Sequence, residues 1–299
     1  MGEVGRWRSA AARAHFLTVY EAGMAALPVV GESVDVPTTF GTVRAYRFGC
    51  TAVAGVPAER PVVLLPGRNA STPMWAPNLP GLLARRTVYC VDLLGEPGLS
   101  LQELPLTGAA DQAWWMGELL TGLGLDSVHL MGVSFGGWSA VNYALHHPAR
   151  VASLALLDPV MTFAPIPLRT MVAFIPMGLP HTPQWLRRRV LRWITGGADV
   201  SDGSPVAALI DAGTADFELH QPAPTLFTDA QLRALDKPVL TLIAGRSVIH
   251  EGQRAADTAR AVLRHGQVEL WASASHAISG EFPDEIAARA HRFWDGVDG

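Results

Sequence analysis

The chain has 299 residues, 49% of them apolar and 17% charged, with 23 Lys and Arg against 27 Asp and Glu for a net charge of −4. That is the balance of an ordered globular protein, and a chain this long buries roughly 75% of its unfolded surface without help from disulfides or a structural metal. The slight acidity supplies no basic excess for nucleic acid. Cys50 and Cys90 lack any ligand spacing, which excludes a zinc site or disulfide framework. No apolar run approaches the ~20 residues of a membrane span. Glu3, Arg6, Arg8 and Arg13 are followed by no apolar h-region, so the N-terminus does not read as a signal peptide. The expectation is a cytoplasmic protein with no membrane partner.

In chain order, residues 10–27 place Phe16, Leu17, Tyr20, Met24 and Leu27 on one helical face, with Pro28 as the stop. Residues 34–37 and 42–48 alternate as a hairpin around Phe40 and Gly41. From Pro61 the pattern changes. Short apolar runs at 62–65, 87–91, 128–133, 151–157, 239–244 and 267–271 read as buried strands. Helical patterns at about 109–123, 137–147, 252–264 and 283–295 lie between or after them. Apolar strands alternating with helices predict an α/β fold with a mostly parallel sheet covered on both faces.

Residues 159–235 break this rhythm. They hold nine prolines, from Pro159 to Pro224, with Met161, Met171, Met177, Trp185 and Trp193, and no strand-like run. A segment that long without a strand is too long for a loop and reads as a helical insertion. The expected organisation is a core of 1–158 and 236–299 with a cap of 159–235.

The most specific signal is Gly132-Val133-Ser134-Phe135-Gly136, entered from a strand and left by a helix. In that context Gly-x-Ser-x-Gly forms a tight strand-to-helix turn, in which a side chain at 132 or 136 would collide with neighbouring backbone. The turn lifts the Ser134 hydroxyl clear of the sheet and aims the helix N-terminus at a developing anion.

With this motif the chain resembles the α/β-hydrolase family over nearly its whole length, and within it small bacterial carboxylesterases with a helical cap. Leu64-Leu65-Pro66-Gly67-Arg68-Asn69-Ala70-Ser71 with Trp75 is similar to the family's oxyanion segment. Residues 91–95 match its Asp-x-x-Gly strand exit, and Ser273-Ala274-Ser275-His276 stands where it carries the catalytic histidine. The resemblance implies Ser134 as nucleophile, His276 as base, and backbone N–H groups of Arg68 and Phe135 as the oxyanion hole. Two departures stand out. Pro66 replaces the family's His before Gly, and Gly245-Arg246-Ser247-Val248-Ile249 offers no carboxylate where the acid commonly stands.

A catalytic histidine needs an acceptor on its Nδ1–H. Some members supply the acid one strand earlier, a position held here by Asp158 before Pro159. Asp158 is the favoured acid. Glu251, or a Ser–His dyad with Ser247 or water in third place, are the alternatives. The strands ending at Leu157 and Ala244 should then be neighbours. His129, His146, His147 and His250 read as structural or surface residues. Arg187, Arg188, Arg189 and Arg192 read as a solvated helix face or an anion-attracting rim. The Arg68 side chain could bind a substrate carboxylate or make a surface salt bridge. The leading reading is a cofactor-free, metal-free serine hydrolase cleaving an ester or thioester of a small, largely apolar substrate. The second is a non-hydrolytic protein of the same fold, either a cyclase or acyltransferase or a ligand-binding protein.

Overall fold

The computed structural model describes residues 2–49, 59–178, 182–194 and 205–299, so Cys50 lies outside the described residues. The strands are β1 (Arg6–Trp7), β2 (Glu32–Thr38), β3 (Gly41–Phe48), β4 (Val62–Leu65), β5 (Val88–Val91), β6 (Leu101–Gln102), β7 (Val128–Val133), β8 (Val151–Leu157), β9 (Phe217–Glu218), β10 (Val239–Ala244) and β11 (Gly266–Trp271). The helices are α1 (Ala10–Met24), α2 (Leu79–Leu82), α3 (Ala109–Gly122), α4 (Phe135–His146), α5 (Leu168–Gly178), α6 (Gln184–Ile194), α7 (Pro205–Asp216), α8 (Asp229–Ala234), α9 (Gly252–Val262), α10 (Ile278–Glu281) and α11 (Pro283–Asp298).

One sheet runs in the order β11-β10-β8-β7-β4-β5-β3-β2, with β6 paired to β3. From β11 to β5 every pairing is parallel, and the β2–β3 hairpin closes the sheet antiparallel on β5. The apolar runs explain this. In β4 all four residues are buried, Val63 and Leu65 packing on one face with α3, α4 and α9, and Val62 and Leu64 on the other with α1 and α11. Alternate side chains leave a strand on opposite faces, so a strand apolar at every position must be covered on both.

Helix α1 is capped by Ser9, whose side chain accepts from the Ala12 N–H, and it ends at Met24, short of Pro28. Residues 159–235 carry helices α5 to α8 as expected, but they also contain β9, which pairs antiparallel with β1. Two residues are too few to carry a strand period. Helix α7 packs on α1 and on the single-turn 3₁₀ helix at Thr72–Trp75. This part of the insertion is therefore joined to the N-terminal segment as well as to the chain before and after it.

Candidate active site

The site assembles where parallel strands end. Strand β7 runs directly into α4 at Ser134, whose φ of 52° and ψ of −115° lie in a region costing a non-glycine residue of order 1–3 kcal/mol. Trp138 N–H donates to the Ser134 carbonyl at 3.1 Å and Ser134 N–H to the Leu157 carbonyl at 3.0 Å, so both sides of the turn are fixed. The glycines are required by contact. A Cβ at Gly132 would run into the backbone of Gly136, and one at Gly136 into the carbonyls of Leu65 and Pro66. Helix α4 starts at Phe135, earlier than the apolar pattern suggested, because glycine at 136 lets its first turn lie against the β4 exit and glycine at 137 lets it lie against Pro159. The N–H groups of that turn have no intrahelical partner. A Cβ on Gly67 would come within 3.6 Å of the Ser134 Cβ, which brings the start of the Gly67-Arg68 loop beside the nucleophile.

Strands β8 and β10 are parallel neighbours, with Leu156 opposite Thr241 and Leu157 opposite Leu242. Asp158 follows at once with φ 45°, its N–H still donating to the Leu242 carbonyl at 2.8 Å. That turn points the fully buried carboxylate at the β10 exit. One carboxylate oxygen, Oδ1, accepts from the Ala244 N–H at 2.9 Å; the other, Oδ2, accepts from the Ser247 hydroxyl at 2.7 Å and lies 2.6 Å from His276 Nδ1. His276 Nε2 is 3.0 Å from Ser134 Oγ. An ionised carboxylate only accepts, so Nδ1 carries the ring proton and Nε2 is free to accept from the serine. The His276 loop is held by Ser275, whose N–H and hydroxyl donate to Glu281 at 2.7 and 2.8 Å. It is also tied to the β10 exit by Arg246 N–H donating to the Ala274 carbonyl.

Burial alone would raise the Asp158 pKa. His250 and His276 overcome that and hold the carboxylate well below its usual range. The structure thus brings Ser134, His276 and Asp158 together, and the Ser247 hydroxyl donates to the acid. Glu251 is exposed at the N-cap of α9 and makes no capping bond.

Two buried ionisable residues were not read as site residues from the sequence. His250 Nε2 lies 2.8 Å from Asp158 Oδ1. Glu96 accepts from the Asn69 N–H at 2.8 Å and from Gln221, and its Oε1 lies 3.6 Å from Arg68 Nε. Burial is the largest influence on Glu96 and pushes its carboxyl up. Neither contact leaves a local motif, because each joins loops that meet only when the sheet forms. The Arg68 guanidinium also lies 4.4 Å from the Phe135 ring centroid, so both oxyanion candidates share one packed unit. His129 is structural: it contacts Ser153 and Asp298, and burial pushes its pKa down to about 4. Arg189 and Arg192 are exposed on α6, while the side chains of Arg187 and Arg188 lie outside the described residues. No group of residues able to hold a metal ion occurs among the described residues. None of the described helices is long and apolar enough to cross a membrane.

Comparison with known proteins agrees with the fold. Residues 60–192 match the family described as alpha/beta hydrolase fold. Carboxylesterase YbfK of Bacillus subtilis is 26% identical over 94% of this chain and 94% of its own length. The crystal structure of carboxylesterase CesB (YbfK) from Bacillus subtilis superposes with a TM-score of 0.85 at 25% identity, covering 96% of this chain and 99% of that one. This chain has the α/β-hydrolase fold and is similar to bacterial carboxylesterases. Naproxen esterase (carboxylesterase NP) from Bacillus subtilis superposes similarly on this chain, with a TM-score of 0.84 at 26% identity, covering 94% of this chain and 97% of the other.

Proposed function

We propose that the protein hydrolyses an ester or thioester of a small, largely apolar substrate through an acyl-enzyme on Ser134. The observation that carries the reading is the continuous relay from Ser134 Oγ through His276 to Asp158, with contacts of 3.0 and 2.6 Å. Ser134 Oγ attacks the acyl carbon while His276 Nε2 takes its proton, and the imidazolium formed is stabilised by Asp158. The tetrahedral oxyanion is held by the N–H groups of Arg68 and Phe135, where loss of one donor typically costs about 2.7–4 kcal/mol. His276 returns the proton to the leaving alcohol or thiol, then activates the water that releases the acid. Pro66 does not disturb this, since the hole is built from backbone donors. The names of the relatives, a carboxylesterase and a naproxen esterase, support ester cleavage.

Residues 159–235 are read as the cap of this site. Trp138 Nε1–H donates to the Thr225 carbonyl at 2.9 Å, the Trp138 ring stacks on Phe227, and the Thr170 hydroxyl donates to the Val248 carbonyl, all near the strand ends. A panel of p-nitrophenyl and aryl esters of increasing acyl length tests the function. Turnover by wild type and its loss in Ser134→Ala, at an unchanged melting temperature, are expected. A Ser134→Ala variant retaining more than a few per cent of the wild-type rate would remove Ser134 from the mechanism.

A further inference from the structure

Asp158 is shared. Its Oδ2 meets His276 Nδ1 at 2.6 Å, and its Oδ1 meets His250 Nε2 at 2.8 Å. His250 is 1% exposed, so water does not satisfy its ring. We propose that His250 is a positioning residue that carries a proton throughout turnover and holds Asp158 as one half of a buried ion pair. The inference rests on the relay of Ser134, His276 and Asp158, and adds to it a second histidine behind the acid.

The polar groups around the His250–Asp158 pair come from three places. Asp158 reaches His250 from the β8 exit, with His276 on the far side of the same carboxylate. Its own loop supplies Ser247, which donates to Asp158, and the Glu251 backbone. Helix α5 supplies Thr170, whose hydroxyl donates to the Val248 carbonyl two residues earlier. Burial opposes a charge on His250, but Asp158 and the Glu251 backbone outweigh it and move its pKa up.

A carboxylate with no charged partner but His276 would direct its whole field at that ring. A protonated His250 spends part of the Asp158 field. It keeps the carboxylate ionised and in place while His276 acts as the general base. Removing the His250 charge while keeping a polar donor should therefore move the acid limb of the kcat/KM profile to higher pH. The His250 charge has the same sign as an imidazolium on His276 and acts from the far side of the carboxylate, so a shift of about one unit is expected.

The test compares wild type, His250→Asn, His250→Gln and Asp158→Asn on one neutral ester. For the His250 variants an acid limb about one pH unit higher is expected, with KM unchanged and kcat on its plateau reduced less than tenfold. Nitrogen-15 NMR of the wild-type histidine rings covers the case in which the variants do not fold. Both His250 nitrogens should carry protons near pH 6. A bare His250 nitrogen there, or an unmoved acid limb in folded His250 variants, would overturn the proposal. The relay itself fails separately, by an active Asp158→Asn.

Discussion

The strand ends and helices α5 and α6 handle apolar residues in opposite ways. At the ends of β7, β8 and β10, Val133, Leu157 and Ala244 are buried, and each loop that leaves them is pinned by hydrogen bonds to a neighbouring loop. On α5, Leu168, Met171, Val172 and Ile175 recur at one-face spacing and stand exposed, Leu168 by 75%. On α6, Trp185 is likewise exposed. Among the described side chains of α5, Thr170 is buried and turns to the Val248 carbonyl. The difference separates two tasks. Proton relay needs atoms held within tenths of an ångström, which a close-packed sheet supplies. Under the proposed function, choosing an apolar substrate needs surface that can rearrange, and the exposed apolar side chains of α5 and α6 would be available for it. Met171, Trp185 and Trp193 of the insertion are thus turned outward, while Phe135, Trp138 and Phe227 form an aromatic stack.

The comparison sharpens most at Asp158. Asp158→Asn should lower kcat by up to about 10⁴-fold, the loss seen when a serine triad loses its acid. Ser247→Ala removes one hydrogen bond to the same carboxylate and should lower kcat only a few-fold, measured under saturating substrate. The depressed Asp158 pKa also fixes a sign. Its contribution to stability is present above the ordinary carboxylate value of about 3.9 and is lost as pH falls through the lower folded value. The melting-temperature gap between wild type and Asp158→Asn should accordingly be full at neutral pH and close in strong acid.

A smaller effect compares packing. Leu156 is completely buried in β8, and Leu156→Ala should destabilise the protein by about 2–5 kcal/mol in urea unfolding. Ile175→Ser, on the exposed stripe of α5, should stay within about 0.5 kcal/mol of wild type. Its effect should instead appear in KM for long-chain esters. Equal destabilisation by both substitutions would mean that the α5 stripe is packed as the sheet is.

Legibility followed the same division. The buried strands could be read because each is apolar at every position, and helices α3, α4, α9 and α11 because their periods are long. Strands β1, β6 and β9 could not, since two residues have no period. Ser134 and His276 were readable as local motifs, and Asp158 as the first residue after its strand. That β8 and β10 would be neighbours followed from the acid's relocation, and they are. His250 and Glu96 were missed because their meaning is a contact across the sheet. His250 is 92 positions from Asp158 in sequence, and Glu96 meets Asn69 and Gln221 from either side along the chain.

The central claim is that Ser134 is activated by a histidine whose acid comes from the end of β8. The rate at which a fluorophosphonate labels wild type and Asp158→Asn, with the modified residue located by peptide mass spectrometry, tests it most directly. Rapid modification of Ser134 in wild type, slowed by several orders of magnitude in the folded variant, is expected. Label on another residue, no label on folded wild type, or equal rates in the two proteins would contradict it.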